Sequence, residues 1–367
     1  MRLVVVYPRF EHNFCISVAR KTRPRVSRNR RIAGDATTPQ HQATDVRLGR
    51  IVRLLIEHAT VVVSGTKIAQ EISCSRSEVW RLIQQLRGLG VDVAGHPATG
   101  YQLRSVPDLL LPEILQHLVR GTIFDAEMHH FYKIGSTNTA ALSAGSTGAP
   151  EGTVFLAEQQ TAGRGRGSNS WHSPRSSGIY CSVILRPALP PADAVVLSLA
   201  AGLAVQAAIR QVEPQLAPDL KWPNDVLIDG RKVCGILTEM NAEVTRVRFI
   251  VVGIGINVNQ LSFPEDLEAI SLRQATGREW SRVELVASLL KSLDREYREI
   301  VAGPGARQSI LRRFAEHSSW VRGKSVMVAE NGAPLEGITE GLDERGFLRV
   351  RTATGLQTVL SGRVRNT

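Results

Sequence analysis

The spacing of apolar residues changes character along the chain, and each change marks a different kind of folding unit. Early on the spacing is helical. Leu48, Ile51, Val52, Leu55 and Ile56 fall on one face, Ile68 and Ile72 lie one turn apart, and Val79, Leu82, Ile83 and Leu86 line another face. Further on come unbroken apolar runs, Val154–Ala157, Ile179–Leu185 and Phe249–Val258, suited to strands buried on both faces. A long apolar helix over Ala192–Val212 separates two of them. Near the end the runs shorten and alternate: Ser325–Ala329, Leu335–Leu342, Phe347–Thr352 and Gln357–Leu360, with glycines marking the turns. This pattern predicts an α/β (α+β) chain with a small helical unit, a larger mixed body and a small β-barrel. The expected divisions are 1–45, 46–104, 105–318 and 319–367. A linker with a helix near Leu111–Leu118, punctuated by Pro107 and Pro112, opens the third.

In the helical unit, Ser64 is placed to cap a short helix and Cys74-Ser75 makes a tight turn. A second helix then runs from Arg76 until Gly88 and Gly90 end it. Val91–Val93 and Tyr101–Leu103 pair as a hairpin around His96–Gly100. Two short helices, a turn and a hairpin spell a winged helix-turn-helix. Its second helix offers Ser75, Arg76, Ser77, Arg81, Gln84 and Gln85 as outward polar residues, the types that read bases in a major groove. Such units also serve as protein-interaction modules. DNA binding is preferred because residues 46–103 hold seven Lys/Arg against four Asp/Glu.

Residues 1–45 hold nine Lys/Arg and three Asp/Glu, whereas 104–367 hold 29 and 27, so the basic excess sits in the first quarter. The run Arg20–Arg31 and the polar stretch Thr37–Thr44 bury too little to offset chain entropy, and 1–45 is expected to be a disordered basic extension. The N-terminus lacks a signal-peptide pattern, and no run of eighteen apolar residues argues for a membrane span. The four cysteines (Cys15, Cys74, Cys181, Cys234) form no CxxC pair, which argues against zinc or a disulfide framework and fits a cytoplasmic protein. Cys181 and Cys234 sit in apolar strands as small hydrophobes, and adjacent His129 and His130 would point to opposite strand faces rather than share a metal.

Chemistry concentrates in three segments. Glu158-Gln159-Gln160-Thr161-Ala162-Gly163-Arg164-Gly165-Arg166-Gly167 follows a strand. Its alternate glycines free the backbone, and its two arginines supply fork-shaped donors for carboxylate or phosphate. It is neither a Walker A loop nor GxGxxG, and alone it resembles a simple turn or an RGG-type segment. Lys221-Trp222-Pro223-Asn224-Asp225 is a turn whose Asp225 could help hold Mg²⁺. Arg231 and Lys232 then precede an apolar strand in which Gly235 allows close backbone approach. Taken alone, Lys232 reads as a solvated lysine in a hairpin, and Trp171 as packing and loop support.

Together these segments resemble the bifunctional biotin–protein ligase and biotin operon repressor family. The resemblance rests on Ser136-Thr137-Asn138, Gln160, the GRGR loop at 163–166, Trp171-x-Ser173-Pro174, KWPND at 221–225, Gly230-Arg231-Lys232 with Gly235-Ile236-Leu237, and Gly253-Ile254-Gly255-Ile256-Asn257. It covers about 46–367. It implies a catalytic domain like those of class II aminoacyl-tRNA synthetases and an SH3-like C-terminal barrel. It implies biotin, ATP and Mg²⁺, with biotinyl-5′-AMP formed first and then transferred to a lysine of a biotin carboxyl carrier protein, a subunit of acetyl-CoA carboxylase. It further implies operator DNA as a partner and a homodimer when the adenylate is held. By this resemblance Ser136, Thr137, Asn138 and Gln160 line the biotin site, and Arg164, Gly165 and Arg166 form a loop that orders over biotin and phosphate. Lys232 meets the biotin carboxylate and the α-phosphate, Lys221 and Asp225 are an electrostatic and a metal-side helper, and Gly235, Gly253, Gly255 and Asn257 complete the ligand-binding set.

Two departures stand out. The family's loop commonly continues with an Arg-Gly-Arg-like segment, replaced here by Gly167-Ser168-Asn169-Ser170. Its C-terminal Ser-Gly-Glu is here Ser361-Gly362-Arg363, a reversal of charge. A biotin-sensing repressor that has lost ligation and a lipoate–protein ligase are the competing functions. Retained Arg164, Arg166 and Lys232 count against the first, and the GRGR loop and winged helix against the second.

Overall fold

The computed structural model describes residues 39–105, 108–244, 246–303, 305–329 and 334–367. The first helix, α1 (Pro39–Glu57), begins earlier than its apolar face. The expectation of a tail through residue 45 therefore fails for 39–45. Pro39 stands at the first helical position, where a missing N–H costs nothing, and the polar turn behind it carries no period to read. Residues 1–38 lie outside the described residues.

Helices α2 (Gly65–Glu71) and α3 (Arg76–Gly88) start at serine caps. Ser64 Oγ accepts from Lys67 N at 3.1 Å and Ser75 Oγ from Glu78 N at 3.2 Å. The wing, β1 (Val93–His96) with β2 (Gly100–Leu103), is tied to the helices by Val63 and Tyr101, which exchange backbone bonds of 2.8 Å. The unit's apolar core takes in Leu109, Leu111 and Tyr132 from beyond the wing.

The body follows with α4 (Pro112–Leu118), β3 (Met128–Phe131), α5 (Thr137–Ser146), β4 (Val154–Ala157), β5 (Gly178–Leu185) and α6 (Val195–Val212). Next come β6 (Asp219–Lys221), β7 (Asp225–Ile228), β8 (Arg231–Ala242), β9 (Val247–Asn257), α7 (Leu272–Thr276), α8 (Arg282–Ala302) and α9 (Ala306–Glu316). The strands form one sheet in the order β3-β4-β5-β9-β8-β7-β6, parallel only between β3 and β4. Alternation assigns its faces. Val154, Leu156, Ile179, Cys181 and Val183 face the main core with α6 and α8, while Phe155, Ala157, Tyr180 and Ile184 face a second cluster under α5. Helix α6 is apolar enough to cross a membrane by length and composition, and here it is buried as the central core helix.

Strands β10 (Arg322–Ala329), β11 (Leu335–Leu342), β12 (Leu348–Thr352), β13 (Gly355–Val359) and β14 (Arg363–Asn366) make an antiparallel sheet in the order β13-β12-β11-β10-β14. Its Val326, Val328, Leu348 and Val350 join the body's core through Trp320 and Val321. Trp222 Nε1 donates to Gly346 O at 2.9 Å, pinning this module to the KWPND turn.

Candidate active site

The polar residues of the predicted ligand site meet on the α5 face of the sheet. Ser136, Thr137 and Asn138 are buried at the start of α5. Thr137 donates from N (2.9 Å) and Oγ1 (3.1 Å) to Gln160 Oε1, and Gln160 Nε2 donates to Ser173 Oγ at 2.9 Å. Ser182 Oγ, on β5, donates to Asn138 Oδ1 at 2.6 Å. Asn138 Nδ2 reaches Glu239 Oε2 at 3.1 Å. Ser182 and Glu239 escaped sequence reasoning: Ser182 is a small polar residue within an apolar strand, and Glu239 sits in a strand end of mixed polarity that carries no motif.

Glu239 also fixes Arg164. Its carboxylate, 2% exposed, accepts from Arg164 Nη1 at 2.9 Å and Nη2 at 2.8 Å. A buried carboxylate needs a paired cation, and here Arg164, expected in the loop over biotin and phosphate, is that partner. Arg166 lies elsewhere, with Nη1 donating to Asn224 Oδ1 at 3.2 Å. Asn224 Nδ2 in turn donates to Ile236 O at 2.8 Å. The loop itself is a compact turn. Trp171 N donates to Gly163 O at 2.9 Å and Gly165 N to Asn169 O at 2.8 Å, and Gly167 takes φ +63°.

Glycines 235, 253 and 255 leave room for side chains of the same chain. A Cβ on Gly255 would stand 2.4 Å from the Trp171 ring, one on Gly235 2.8 Å from it, and one on Gly253 1.9 Å from Asn138 Oδ1. The Trp171 ring thus packs against β8 and β9, which agrees with packing and loop support. Its Nε1 is a buried donor with no acceptor among the described residues.

Lys232 rises beside the same indole, its Nζ 5.3 Å from the ring centre. It forms an ion pair with Asp225 Oδ1 at 2.6 Å, although that buried oxygen accepts no aligned hydrogen bond. Lys232's backbone is gripped by Glu268 O (3.0 Å), Ile270 N (3.0 Å) and Asn257 Nδ2 (3.3 Å). Asn257 is therefore a support for Lys232. Lys221 ends β6, directly opposite Asp225, with Nζ 4.0 Å over Trp320. Burial pushes its ammonium down from the ordinary value, against the pull of Asp225. Among the described residues no three His, Cys, Asp or Glu gather as a metal cage. Asp225 is thus one carboxylate already paired with a cation.

Behind Gln160 lies a buried charged knot. Glu158, fully buried, accepts from Arg282 Nη1 (2.7 Å), His130 Nε2 (3.2 Å) and Leu110 N (2.9 Å). Burial pushes the Glu158 carboxyl up, but Arg282, His130 and the Leu110 amide outweigh it and hold it at about 2. Arg282 also bonds Asp108 of the linker. His129 turns the other way, to Glu127 at 2.8 Å. Burial pushes the Cys181 thiol up to about 12 and raises that of Cys234, so both are inert packing.

On α3, Arg76, Ser77 and Arg81 are exposed and Gln84 and Gln85 half-buried. Ser75 is occupied as the cap and bonds Ser77 Oγ at 2.9 Å. Arg81 is held by Glu78 through bonds of 2.9 and 2.6 Å. Trp80, 58% exposed at the centre of that face, was missed, because its place in the helical spacing drew no attention among polar neighbours.

Three family profiles match the chain. An HTH domain covers residues 47–102, the Biotin/lipoate A/B protein ligase family covers 130–257, and a Biotin protein ligase C terminal domain covers 322–364. The chain is 34% identical over 315 residues to the bifunctional ligase/repressor BirA of Bacillus spizizenii, spanning 85% of this chain and 96% of that one. It is 31% identical to BirA of Escherichia coli over 289 residues, 78% of this chain and 87% of that one. The biotin protein ligase of Aquifex aeolicus, solved with biotin and ATP, superposes with a TM-score of 0.57 at 28% identity, over 66% of this chain and all of that one.

Proposed function

The chain belongs to the biotin protein ligase family in its bifunctional ligase/repressor form, and we propose how its residues divide the work. It is an ATP-dependent biotin–protein ligase that also represses transcription of the biotin operon in response to biotin. In the first half-reaction a biotin carboxylate oxygen attacks the α-phosphorus of ATP, and pyrophosphate leaves. In the second, the unprotonated amine of a carrier-protein lysine attacks the acyl carbon, and AMP leaves with the bonding pair.

The observation that carries this reading is the convergence of α5, Gln160, the arginine loop and Lys232 around Trp171 on one sheet face. Bringing a carboxylate to a phosphate opposes two anions, so the protein must supply cations and position rather than a nucleophile. Lys232, with its backbone fixed and its ammonium facing Asp225, meets the developing charge. Lys221 and Arg166 add positive potential from β6 and the loop. Arg164 holds the loop's base to Glu239, and Asn138, Thr137 and Gln160 present polar atoms to biotin. The unpartnered Trp171 Nε1 offers one further donor. A lone carboxylate at Asp225 fits a Mg²⁺ that arrives on the nucleotide phosphates rather than one caged by protein. Mg²⁺ supplies charge neutralisation there.

The winged helix takes operator DNA, with Arg76, Ser77, Trp80 and Gln84 on the exposed side of α3. Retained adenylate favours a homodimer, which places two winged helices on one operator, and the work is done in the cytoplasm. Incubation with MgATP, biotin and an acceptor carrier domain tests the ligase. Biotin on the acceptor lysine is expected, and none at saturating substrates would leave a biotin-sensing repressor.

A further inference from the structure

The two places where the sequence departs from its family touch each other. Arg363 Nη2, at the start of β14, donates to Asn169 Oδ1 in the arginine loop at 2.9 Å, across 194 residues. The residue before it, Gly362, approaches the loop as well, with its carbonyl 3.5 Å from Arg166 Nη1. Asn169 is the knot of that loop. Its N donates to Arg166 O (3.2 Å), its O accepts from Gly165 N (2.8 Å), and its Nδ2 donates to Arg166 O (2.8 Å). One Nδ2 hydrogen goes to Arg166 O, and Oδ1, which can only accept, takes the bond from Arg363. A cationic donor on the barrel matches that acceptor, whereas the glutamate common in the family would not.

The barrel turn is itself firmly seated. Gly362, at φ +136°, has no room for a Cβ, which would stand 2.7 Å from Val328 Cγ1. Val364, next to Arg363, is buried in the barrel core, and Trp222 fixes the far side of the barrel to the KWPND turn. The loop is therefore held at its tip against the edge of the barrel.

We propose that the Ser361–Arg363 turn is the seat of the arginine loop in this chain, and that Arg363, acting through Asn169, is a positioning residue that sets how long the adenylate is retained. The loss of loop charge and the reversal at 363 are then one compensating change. This rests on the ligase reading above, and the experiment separates the two. Arg363→Ala, Asn169→Ala and the double variant are compared by adenylate release and by tryptic cleavage after Arg166 in the protein without ligand. Each single change is expected to speed release about threefold to tenfold, with the double no worse than either. KM for biotin should rise at near-constant kcat. Arg363→Lys keeps a donor and should recover part of the retention. Cleavage after Arg166 should quicken in parallel, and thermal melting, measured alongside, should hold. If the barrel change disturbs folding, Asn169→Ala carries the test from the loop side. Effects that multiply, or unchanged release and cleavage, overturn the proposal. Should the unsubstituted protein form no adenylate, the ligase reading fails, and the cleavage arm alone decides the seat.

Discussion

Lys232 and the two loop arginines look interchangeable as cations and are not. On the proposed division of work Lys232 meets the developing negative charge, so Lys232→Met should lower adenylate formation about 10²- to 10³-fold, read as pyrophosphate release, with the fold intact. Arg164→Ala strands the buried Glu239 carboxylate. Since Arg164 itself is 36% exposed, the cost should be about 2–3 kcal/mol in urea unfolding rather than the larger value of a fully buried pair. Arg166→Gly should leave that stability alone and speed adenylate release; an unchanged release rate would contradict its role. The alternating arginines were legible in the sequence, but the difference between them was not. Glu239 lies 75 residues away as the one acid of β8, and no local pattern joins the two.

Among the elements, the strand ending at Ala157 does two jobs: its residues fill both faces of the sheet, and Glu158 just beyond it ties Arg282 of α8, His130 of β3 and the linker amide of Leu110. Its depressed carboxyl fixes the sign of the acid response. The stabilisation is full above the ordinary value of 4.5 and is lost as pH falls toward about 2. Acid unfolding followed by tryptophan fluorescence should steepen in that window, and Glu158→Gln should flatten it while lowering stability at neutral pH. Apolar runs made β4, β5, β9 and α6 legible. The three- and four-residue strands β6 and β7 were not, since so short a segment carries no period. Gly235 of β8 was noticed for close approach, while Gly253 and Gly255 of β9 entered only with the family motif, and sequence cannot say what approaches. It is Trp171 and Asn138 of the same chain.

At the scale of the whole molecule, the winged helix was legible down to the Ser64 cap, but Ser75's capping of α3 and the unit's attachment were not. Its core borrows Leu109, Leu111 and Tyr132, so deleting residues 1–103 should abolish operator binding and keep adenylation while exposing that apolar patch to aggregation. Arg175, four residues past Trp171, donates to Gly88 O at 2.7 Å at the end of α3. Arg175→Ala should change the biotin dependence of an operator mobility shift by about twofold to fivefold, the range of a cation at a helix C-terminus. On the proposed roles, the ligand face and the DNA face share a strut as well as a linker. What binds both claims together is chemistry at Lys232. The deciding measurement is mass analysis of an acceptor carrier domain after incubation with MgATP, biotin and either the unsubstituted chain or Lys232→Met. One biotinyl group should appear on the acceptor lysine with the former and be nearly absent with the latter, whereas equal labelling by both would place the chemistry somewhere other than the face shared by Lys232 and the arginine loop.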